Sequence, residues 1–216
     1  MVPKIFVSAT NTNIGKTYTM KLLIDALSAR GLNVGVLKPI ETGVETLPVD
    51  ASAIFEKAKE HNRALESFTL DDICPYQFKL PAAPFVAKGS TLIEKSIIQK
   101  AIEKLETVSD IILIEGAGGL MVPIQDDEKI IDMALDLVHR LLLVVPSRLG
   151  SINDTLLNLE LLKNKKISFE WTINLYEDKE SFEEVTKPYY EKMLPDFTIL
   201  QEDLEEIVDR LCKDYF

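Results

Sequence analysis

The sequence predicts an α/β fold in which a mostly parallel β-sheet is flanked by helices on both faces. Short runs rich in β-branched residues alternate with longer segments of helical periodicity, which is typical of strand–helix units repeated around a parallel sheet. Apolar runs without polar alternation, such as residues 141–145, suit strands that are covered on both faces. With 216 residues, 46% of them hydrophobic, the chain can bury one substantial core, so we expect a single domain over residues 1–216.

The individual elements follow from these two patterns. Apolar runs predict five strands and a weaker sixth, at residues 4–7, 34–37, 111–114, 141–145, 171–174 and 198–200. Helical periodicity predicts helices at residues 16–30, 51–60, 91–105, 130–138 and 152–162. The first helix is predicted to end at Gly31. Residues 202–211 place apolar side chains at helical spacing among acids, which predicts an amphipathic helix packed on the body of the protein.

The polar turn after the first strand is the most informative segment. Residues 9–17 end in Gly15, Lys16 and Thr17 and open a helix. A glycine lets the backbone approach a phosphate, a lysine places a cation between phosphates, and a threonine hydroxyl can ligate Mg²⁺. The usual motif has a glycine five residues before Gly15, where this chain has Thr10. Strand, turn and helix N-terminus together predict a phosphate-binding loop (P-loop) for a nucleoside triphosphate.

The next two strands also end in residues suited to a metal-bound phosphate, and in open α/β sheets ligands gather at these carboxyl ends. Lys38 follows the second strand, although a lysine at a strand end is usually just a solvated charge. Glu115 follows the third, where a carboxylate holds Mg²⁺ opposite a P-loop hydroxyl. The glycine-rich run 116–119 is expected to form a loop, either one that turns N–H groups toward an anion or a plain tight turn. Asp50 is either a helix N-cap or a second metal carboxylate.

The last two strand ends carry weaker signals. Residues 149–153 turn from strand into helix, and this helix N-terminus either attracts a carboxylate or phosphate or is an ordinary connection. The amide of Asn174 can read a purine edge or cap a loop. Neither signal decides a role by itself.

Composition and charge disfavour several classes of partner. A net charge of −11 disfavours nucleic acid and anionic lipid. Cys74 and Cys212 predict two reduced thiols, and His61 and His139 lack partners at ligand spacing. Apolar runs stay short of the ~18 residues of a membrane span, and the N-terminus enters a strand at once, leaving no room for a secretory leader. We therefore expect a soluble, cytoplasmic protein without nucleic-acid or membrane partners.

Five segments resemble the dethiobiotin synthetase family in order and spacing. They are TNTNIGKT (10–17), KPIETG (38–43), CPYQF with PAAP (74–78 and 81–84), EGAGG (115–119) and LGSIN (149–153). The resemblance extends to about Asn174, and the ordered set is far more specific than any one segment. The glycine missing at Thr10 fits, because this family has a deviant P-loop. Beyond Asn174 the chain departs from the family, whose Gly-x-(Ile or Leu)-Pro segment over the base is replaced by residues 195–200 and an acidic helix.

The resemblance implies a P-loop NTPase-like fold and an ATP-dependent cyclo-ligase that forms C–N bonds. The family joins CO₂ to 7,8-diaminopelargonate, and the resulting carbamate attacks the γ-phosphate of MgATP. The second amine then displaces phosphate from the carbamic–phosphoric anhydride and closes the ureido ring of dethiobiotin, with ADP as the other product. Because two anions must meet at the phosphoryl step, the site must supply positive charge and fixed geometry. The resemblance places this reaction in biotin biosynthesis. It implies ATP and Mg²⁺ as the cofactors of the enzyme.

The resemblance also implies roles for individual residues. Catalysis would use Thr12, Lys16 and Lys38, and Mg²⁺ would be held by Thr17, Asp50 and Glu115. The nucleotide would be contacted by Asn13, Ile14, Gly15, Lys16, Thr17, Tyr18, Glu115, Gly116, Ala117, Gly118 and Asn174. The substrate would be contacted by Thr42 at the amine or carbamate, by Tyr76 and Pro81 (with the rest of 81–84) along the alkyl chain, and at its carboxylate by Gly150, Ser151, Ile152 and Asn153 from the partner subunit of a homodimer.

The alternative function is a regulatory deviant-P-loop ATPase of the partitioning or positioning type. Those proteins carry a signature lysine early in the loop, where this chain has Asn11, Thr12 and Asn13. Their partners, DNA or membrane, also fit poorly with a net charge of −11. The residues favour the ligase, but they do not separate ATP from GTP or CTP as the phosphoryl donor.

Overall fold

A six-stranded parallel β-sheet forms the centre of the computed structural model, which describes residues 2–138, 140–213 and 215. The strands of the described chain are β1 Lys4–Ala9, β2 Val34–Leu37, β3 Ile40–Thr42, β4 Tyr76–Phe78, β5 Ile111–Gly119, β6 Pro123–Gln125, β7 Glu128–Lys129, β8 Arg140–Pro146, β9 Ser168–Asn174 and β10 Thr198–Ile199. The sheet has the order β10-β9-β8-β1-β5-β2, which places β1 and the P-loop between β8 and β5.

Helices connect these strands and cover the sheet. The described α-helices are α1 Lys16–Ala29, α2 Val49–Lys59, α3 Leu70–Ile73, α4 Pro84–Ala87, α5 Lys95–Glu106, α6 Ile130–Leu137, α7 Ser151–Lys165, α8 Lys179–Ser181, α9 Lys187–Met193 and α10 Leu204–Cys212. A 3₁₀ turn occupies Arg63–Ser67 and a π-helical turn occupies Phe182–Thr186.

The sheet strands form where the sequence predicts them, because their apolar runs are buried beneath helices. Every residue of β2 and of β8 is buried. β1 pairs in parallel with both β5 and β8, which suits a central strand without polar alternation. All six predicted strands and the α/β fold class are confirmed.

The glycine-rich run 116–119 continues strand β5, so the expectation of a loop there is wrong. A Cβ atom on Gly119 would lie 2.9 Å from the backbone oxygen of Thr10, and one on Gly116 would lie 2.8 Å from the ring of Phe6. Glycine at both positions lets β5 stay against β1 where side chains would push the two strands apart. The strand thereby carries the segment to the carboxyl edge of the sheet.

Two short strands near the site, β3 and β4, have no counterpart in the sequence-based prediction. They pair in parallel as a separate small sheet, with Ile40 opposite Tyr76. Strands of three residues are too short to show an alternating pattern. The pair starts directly after β2, where the N–H of Lys38 donates to the carbonyl of Ile73 at 2.8 Å. The chain therefore passes from the end of β2 into the small sheet within two residues.

The five predicted helices and the C-terminal amphipathic helix are confirmed, with shifts at their ends. α1 begins at Lys16 as expected, and Gly31 follows its last turn at φ +85°. α5 begins at Lys95 rather than at residue 91, and α2 begins at Val49. α10 buries the apolar face that its spacing predicts. The short helical segments between residues 179 and 193 have no predicted counterpart.

Both cysteines are buried free thiols. Burial raises the pKa of Cys74 and of Cys212, so both thiols stay protonated. His61 has a carboxylate partner that its spacing did not indicate, because its Nε2 lies 2.8 Å from Oδ1 of Asp25 on α1. His139 lies outside the described residues. Within the described ranges, no helix combines the length and apolar character needed to cross a bilayer.

Candidate active site

A cavity of about 670 Å³ opens where the P-loop, β3, the start of α2 and the end of β5 meet. It brings together residues that the sequence places at separate strand ends. Those that line it are Thr12, Asn13, Gly15, Lys16, Thr17, Lys38, Thr42, Asp50, Pro81, Glu115, Ala117 and Gly118. Ligand sites lie at this edge of open α/β sheets, so the position agrees with the general rule.

The P-loop is shaped by a glycine and by hydrogen bonds to its carbonyl groups. Gly15 has φ +100°, which side-chain-bearing residues rarely adopt, and a Cβ there would lie 2.2 Å from Nδ2 of Asn174. That Nδ2 donates to the carbonyl of Ile14 at 2.8 Å, and the phenol of Tyr176 donates to the carbonyl of Asn13 at 3.0 Å. The loop leads into α1, whose first-turn N–H groups suit an anion, as at any helix N-terminus.

Lys16 is a mostly buried cation in the cavity lining. Its Nζ donates to the carbonyl of Asn11 at 3.0 Å. Burial, and next the positive charge of Lys38, lower the pKa of Lys16 from 10.5 to about 8. A phosphate near this Nζ would favour the charged form, so the position is suited to an anionic ligand.

Lys38 is the centre of a buried charge cluster in the same cavity. Its Nζ lies 2.5 Å from Oε1 of Glu115, 3.3 Å from Oδ2 of Asp50 and 3.2 Å from the carbonyl oxygen of Gly116. Burial by itself would lower the pKa of Lys38, but the carboxylates of Glu115 and Asp50 outweigh it and the pKa is raised. Lys38 therefore stays protonated. With a side chain only 3% exposed, it is not a solvated surface charge.

Three oxygen-bearing side chains meet beside this lysine in a set that suits a hard cation. Oγ1 of Thr17 lies 3.0 Å from Oδ1 of Asp50 and 3.0 Å from Oε1 of Glu115. The other carboxylate oxygen, Oε2 of Glu115, is buried and has no hydrogen-bond partner among the described residues. Such an atom is costly to bury unless a ligand satisfies it. Because Mg²⁺ prefers oxygen ligands of these kinds, the donor set fits the ion.

The backbone of Asp50 is hydrogen-bonded to Glu41, a residue that the sequence-based prediction did not single out. Helix α2 has Pro48 as its N-cap, so Asp50 lies in the first turn and is not the cap. Oε1 of Glu41 accepts the N–H of Asp50 at 3.0 Å, and Oε2 accepts the N–H of Ala51 at 2.9 Å. Burial raises the pKa of Glu41, against the lowering effect of these two bonds. An acid within the KPIETG segment was the signal that could have found it.

Glu41 also lines the cavity, and the rest of the lining is largely apolar. Thr42 and Pro81 lie there with Ile40, Ala82, Ala83, Pro84 and Val122. Tyr76 does not line the cavity, so its expected contact with a substrate does not fit the geometry. Its ring is buried, and its phenol oxygen accepts the N–H of Glu94, the residue before α5, at 2.6 Å. That hydrogen bond holds the side chain to the start of α5.

Several residues expected at the nucleotide do not face the cavity. Ile14 is buried in the core, and Tyr18 is half exposed on α1. Gly116 contributes only its carbonyl, which accepts from Lys38. The P-loop and β5 still present Asn13, Gly15, Thr17, Ala117 and Gly118 to the cavity.

Asn174 is buried behind the P-loop and both ends of its amide are bonded within the protein. Besides its bond to Ile14, its Oδ1 accepts from Nε2 of Gln201 at 2.6 Å. The sequence left two roles for Asn174, reading a purine edge or capping a loop, and these hydrogen bonds agree with the second. Gln201 and Tyr176 are further supports of the P-loop region, and both lie beyond the segments that carry the family resemblance.

Residues 150–153 do not line the cavity of their own chain. They begin α7 after β8, with Gly150 as the N-cap at φ +90°. Ser151 is fully buried, and its Oγ lies 3.4 Å from the phenol oxygen of Tyr190. Nearby Leu149 and Leu157 are 73% and 64% exposed. The expected place of this segment in a partner's site stays a prediction.

Solved structures of partition and division proteins share the fold. The crystal structure of a plasmid partition protein from Borrelia burgdorferi matches with a TM-score of 0.57 and 14% identity, covering 99% of this chain and 97% of that chain. The MinC:MinD cell division protein complex of Aquifex aeolicus matches with a TM-score of 0.55 and 14% identity, covering 97% and 86%. At such identities the likeness concerns the fold alone.

The sequence relatives identify the family of this chain more narrowly than these solved structures do. A family model described as an AAA domain matches residues 3–187. The ATP-dependent dethiobiotin synthetase BioD of Sulfurovum sp. (strain NBC37-1) is 48% identical over 207 residues, covering 96% of this chain and 99% of that protein. The protein of the same name from Wolinella succinogenes is 36% identical over 210 residues, covering 96% and 97%. The resemblance found in the sequence is confirmed, and the chain belongs to the family of ATP-dependent dethiobiotin synthetases.

Proposed function

We propose that this chain is an ATP-dependent ligase that carboxylates 7,8-diaminopelargonate with CO₂ and closes the ureido ring of dethiobiotin. The observation that carries the proposal is the convergence of two buried lysines and an oxygen-rich donor set in one cavity of a chain that is 48% identical to a dethiobiotin synthetase. The two C–N bonds of the product would form in this cavity, with ADP and phosphate released. We take residues 1–216 as one ligase domain.

The chemistry requires two anions to meet. One amine of the substrate attacks CO₂ and loses a proton, which leaves a carbamate. A carbamate oxygen then attacks the γ-phosphorus of ATP, and the bond to ADP breaks. The second amine attacks the carbonyl carbon of the mixed anhydride, expels phosphate and closes the ring. Lys16 and Lys38, which both line the cavity, would offset the repulsion between carbamate and triphosphate, and Thr12, another lining residue, would donate its hydroxyl.

Mg²⁺ is the metal that we assign to this donor set. Thr17, Asp50 and Glu115 would hold it, and the partnerless Oε2 of Glu115 is the observation that supports this assignment. Bound there, the ion would neutralise phosphate charge and orient the triphosphate. The protein's own contribution would be to keep Lys38 protonated between the two carboxylates, so that its charge is available to the reacting groups.

The diamine would occupy the part of the cavity between Thr42 and residues 81–84. Its alkyl chain needs apolar walls, and Ile40, Pro81 and Val122 supply them. The hydroxyl of Thr42 would contact the amine or the carbamate. Tyr76 is left out of this assignment because its phenol is bonded to Glu94.

A second copy of the chain would complete the site. The α7 N-terminus, residues 150–153, would bind the carboxylate of the substrate that lies in the cavity of the partner subunit. Support comes from large apolar side chains on and next to α7, since Leu149, Leu156 and Leu157 are 73%, 38% and 64% exposed. Exposed apolar residues grouped on one element favour a protein partner. A homodimer in the cytoplasm is the arrangement we propose.

Phosphate release from ATP tests the proposed function directly. With Mg²⁺ present, we expect release only when both 7,8-diaminopelargonate and bicarbonate are supplied, together with a product of the mass of dethiobiotin. Leaving out either substrate is the control. Hydrolysis that is indifferent to the diamine but stimulated by DNA or by lipid vesicles would instead support the regulatory ATPase, whose fold the partition and division proteins share.

A further inference from the structure

The carboxylate of Glu41 caps a helix to which it does not belong. It lies on β3, and its two oxygens accept the N–H groups of Asp50 and Ala51 in the first turn of α2 at 3.0 and 2.9 Å. These are the second and third residues of the helix, the N–H groups that a local N-cap side chain normally satisfies. The local N-cap is Pro48, which has no side-chain acceptor.

The cap holds the backbone of Asp50, whose side chain belongs to the donor set. Asp50 receives the Glu41 bond through its backbone, while its Oδ1 accepts from Thr17 at 3.0 Å and its Oδ2 lies 3.3 Å from Nζ of Lys38. Asp50 lies in the first turn of α2, the turn that the Glu41 bonds hold. A shift of that turn would therefore move Asp50 relative to both Thr17 and Lys38.

Glu41 is itself held firmly. It is 7% exposed, and β3 is paired with β4. β3 follows β2 after only two residues, so Lys38 and Glu41 belong to one short, anchored segment. An acid at a helix N-terminus is also favoured by the helix dipole, which offsets part of the repulsion between the neighbouring carboxylates of Glu41 and Asp50.

We propose that Glu41 is a positioning residue that sets the Mg²⁺ affinity of the site by capping α2 and thereby aiming Asp50. The inference rests on the proposed function, since it presumes that Asp50 is a metal ligand. Groups that orient metal ligands typically change metal affinity by about 10- to 100-fold when they are removed. Glu41 does not need to touch the metal, the nucleotide or the diamine to have this effect.

Two readouts on the full-length protein test the proposal. The first is the Mg²⁺ concentration needed for half-maximal binding of a non-hydrolysable ATP analogue, measured by calorimetry. We expect Glu41→Gln to raise it about tenfold, because the amide group can accept only one of the two N–H groups and turns a donor toward the other. The second is hydrogen exchange of the Ala51 amide, which we expect to become about tenfold faster. Glu45→Gln, an exposed acid nearby, should change neither readout.

Two further variants separate positioning from a general loss of stability. In an Asp50→Asn background, Glu41→Gln should change Mg²⁺ affinity by less than about twofold, because residues that act through one another are not additive. Pro48→Ser places a hydroxyl at the local N-cap and should restore most of the affinity lost in Glu41→Gln. Should Glu41→Gln fail to fold, Glu41→Asp, which keeps the charge but shortens the reach, takes its place in both measurements.

The outcomes are distinguishable from those of the proposed function. Full additivity with Asp50→Asn, or a higher KM for the diamine at unchanged Mg²⁺ affinity, would overturn the positioning role while leaving the ligase proposal intact. An unsubstituted protein whose nucleotide binding ignores Mg²⁺ would overturn the metal assignment and the inference together. Slower turnover alone, with Mg²⁺ affinity and Ala51 exchange unchanged, would also count against Glu41 as a positioning residue.

Discussion

Lys38 and Glu115 are charged residues that the fold buries as a pair. A buried ion pair gains little over an apolar pair, because both charges must leave water. Here the lysine is 3% exposed and the glutamate 0%, yet one oxygen of Glu115 has no hydrogen-bond partner in the described chain. A pair kept only for stability would leave no such atom. The unpartnered oxygen instead agrees with the metal-binding role that we propose for Glu115.

Replacing Lys38 tests its catalytic role. Lys38→Gln removes the cation between Glu115 and Asp50, so we expect turnover to fall about 10²- to 10³-fold, the usual effect of losing one group that stabilises transition-state charge. Far-ultraviolet circular dichroism should still report a folded protein. Lys100→Gln, on the exposed face of α5, is the matched control and should keep full activity. Near-normal turnover in Lys38→Gln would remove Lys38 from the catalytic set.

Glu115→Gln tests the metal assignment at the residue scale. The substitution keeps the shape of the side chain but replaces one carboxylate oxygen by a donor, so we expect the Mg²⁺ concentration for half-maximal activity to rise about tenfold or more. Activity measured across a Mg²⁺ titration provides the check, with the exposed Glu103→Gln on α5 as the control. A titration curve identical to that of the unsubstituted protein would contradict a metal-binding role for Glu115.

Secondary-structure elements bring these residues to one place through close backbone contacts. β5 can run beside β1 as far as Gly119 because glycines replace side chains where the strands meet. The P-loop is similarly confined, since Gly15 leaves room only for the amide of Asn174. The positions of these elements therefore depend on glycines at the points of closest contact, and not only on secondary-structure propensity.

Gly119→Ala tests this close contact. The added Cβ would lie 2.9 Å from the backbone oxygen of Thr10, which cannot move aside as a flexible side chain can. We expect the free energy of unfolding to fall by about 1–3 kcal/mol, the usual cost of overpacking. Urea denaturation gives the value, and Ser90→Ala on an exposed loop should stay within about 0.5 kcal/mol of the unsubstituted protein. A stability loss no larger than that of Ser90→Ala would refute the steric argument.

At the scale of the whole molecule, one chain holds most of the proposed site but not all of it. The cavity contains the P-loop, Lys38 and the donor set, whereas residues 150–153 lie elsewhere on the same chain. In a dimer with two-fold symmetry, the same patch serves both subunits, so each could complete the other's cavity. Leu157, 64% exposed on α7, is a suitable probe of that patch.

Leu157→Lys should convert the proposed dimer into a monomer and abolish most of the activity, because a charge at the centre of an apolar interface is costly to bury. Light scattering coupled to size-exclusion chromatography gives the mass of the particle. Leu92→Lys is the matched control, since Leu92 is 65% exposed but lies between α4 and α5. A monomeric unsubstituted protein with full ligase activity would contradict the shared site.

The amino-acid sequence by itself determined the six strands of the main sheet, the main helices, the P-loop and the family, because periodicity and motif spacing are local properties of the chain. Only the tertiary structure decided which distant groups meet. Thr17 and Glu115 are 98 residues apart, and Asn174 and Ile14 are 160 apart, yet each pair is hydrogen-bonded. The glycines after Glu115 continue a strand because β1 lies beside them, and Tyr76 faces α5 because its phenol is bonded to Glu94. Residue spacing reveals neither neighbour. Such contacts exist only once packing has fixed the path of the chain, and they place the site's charges.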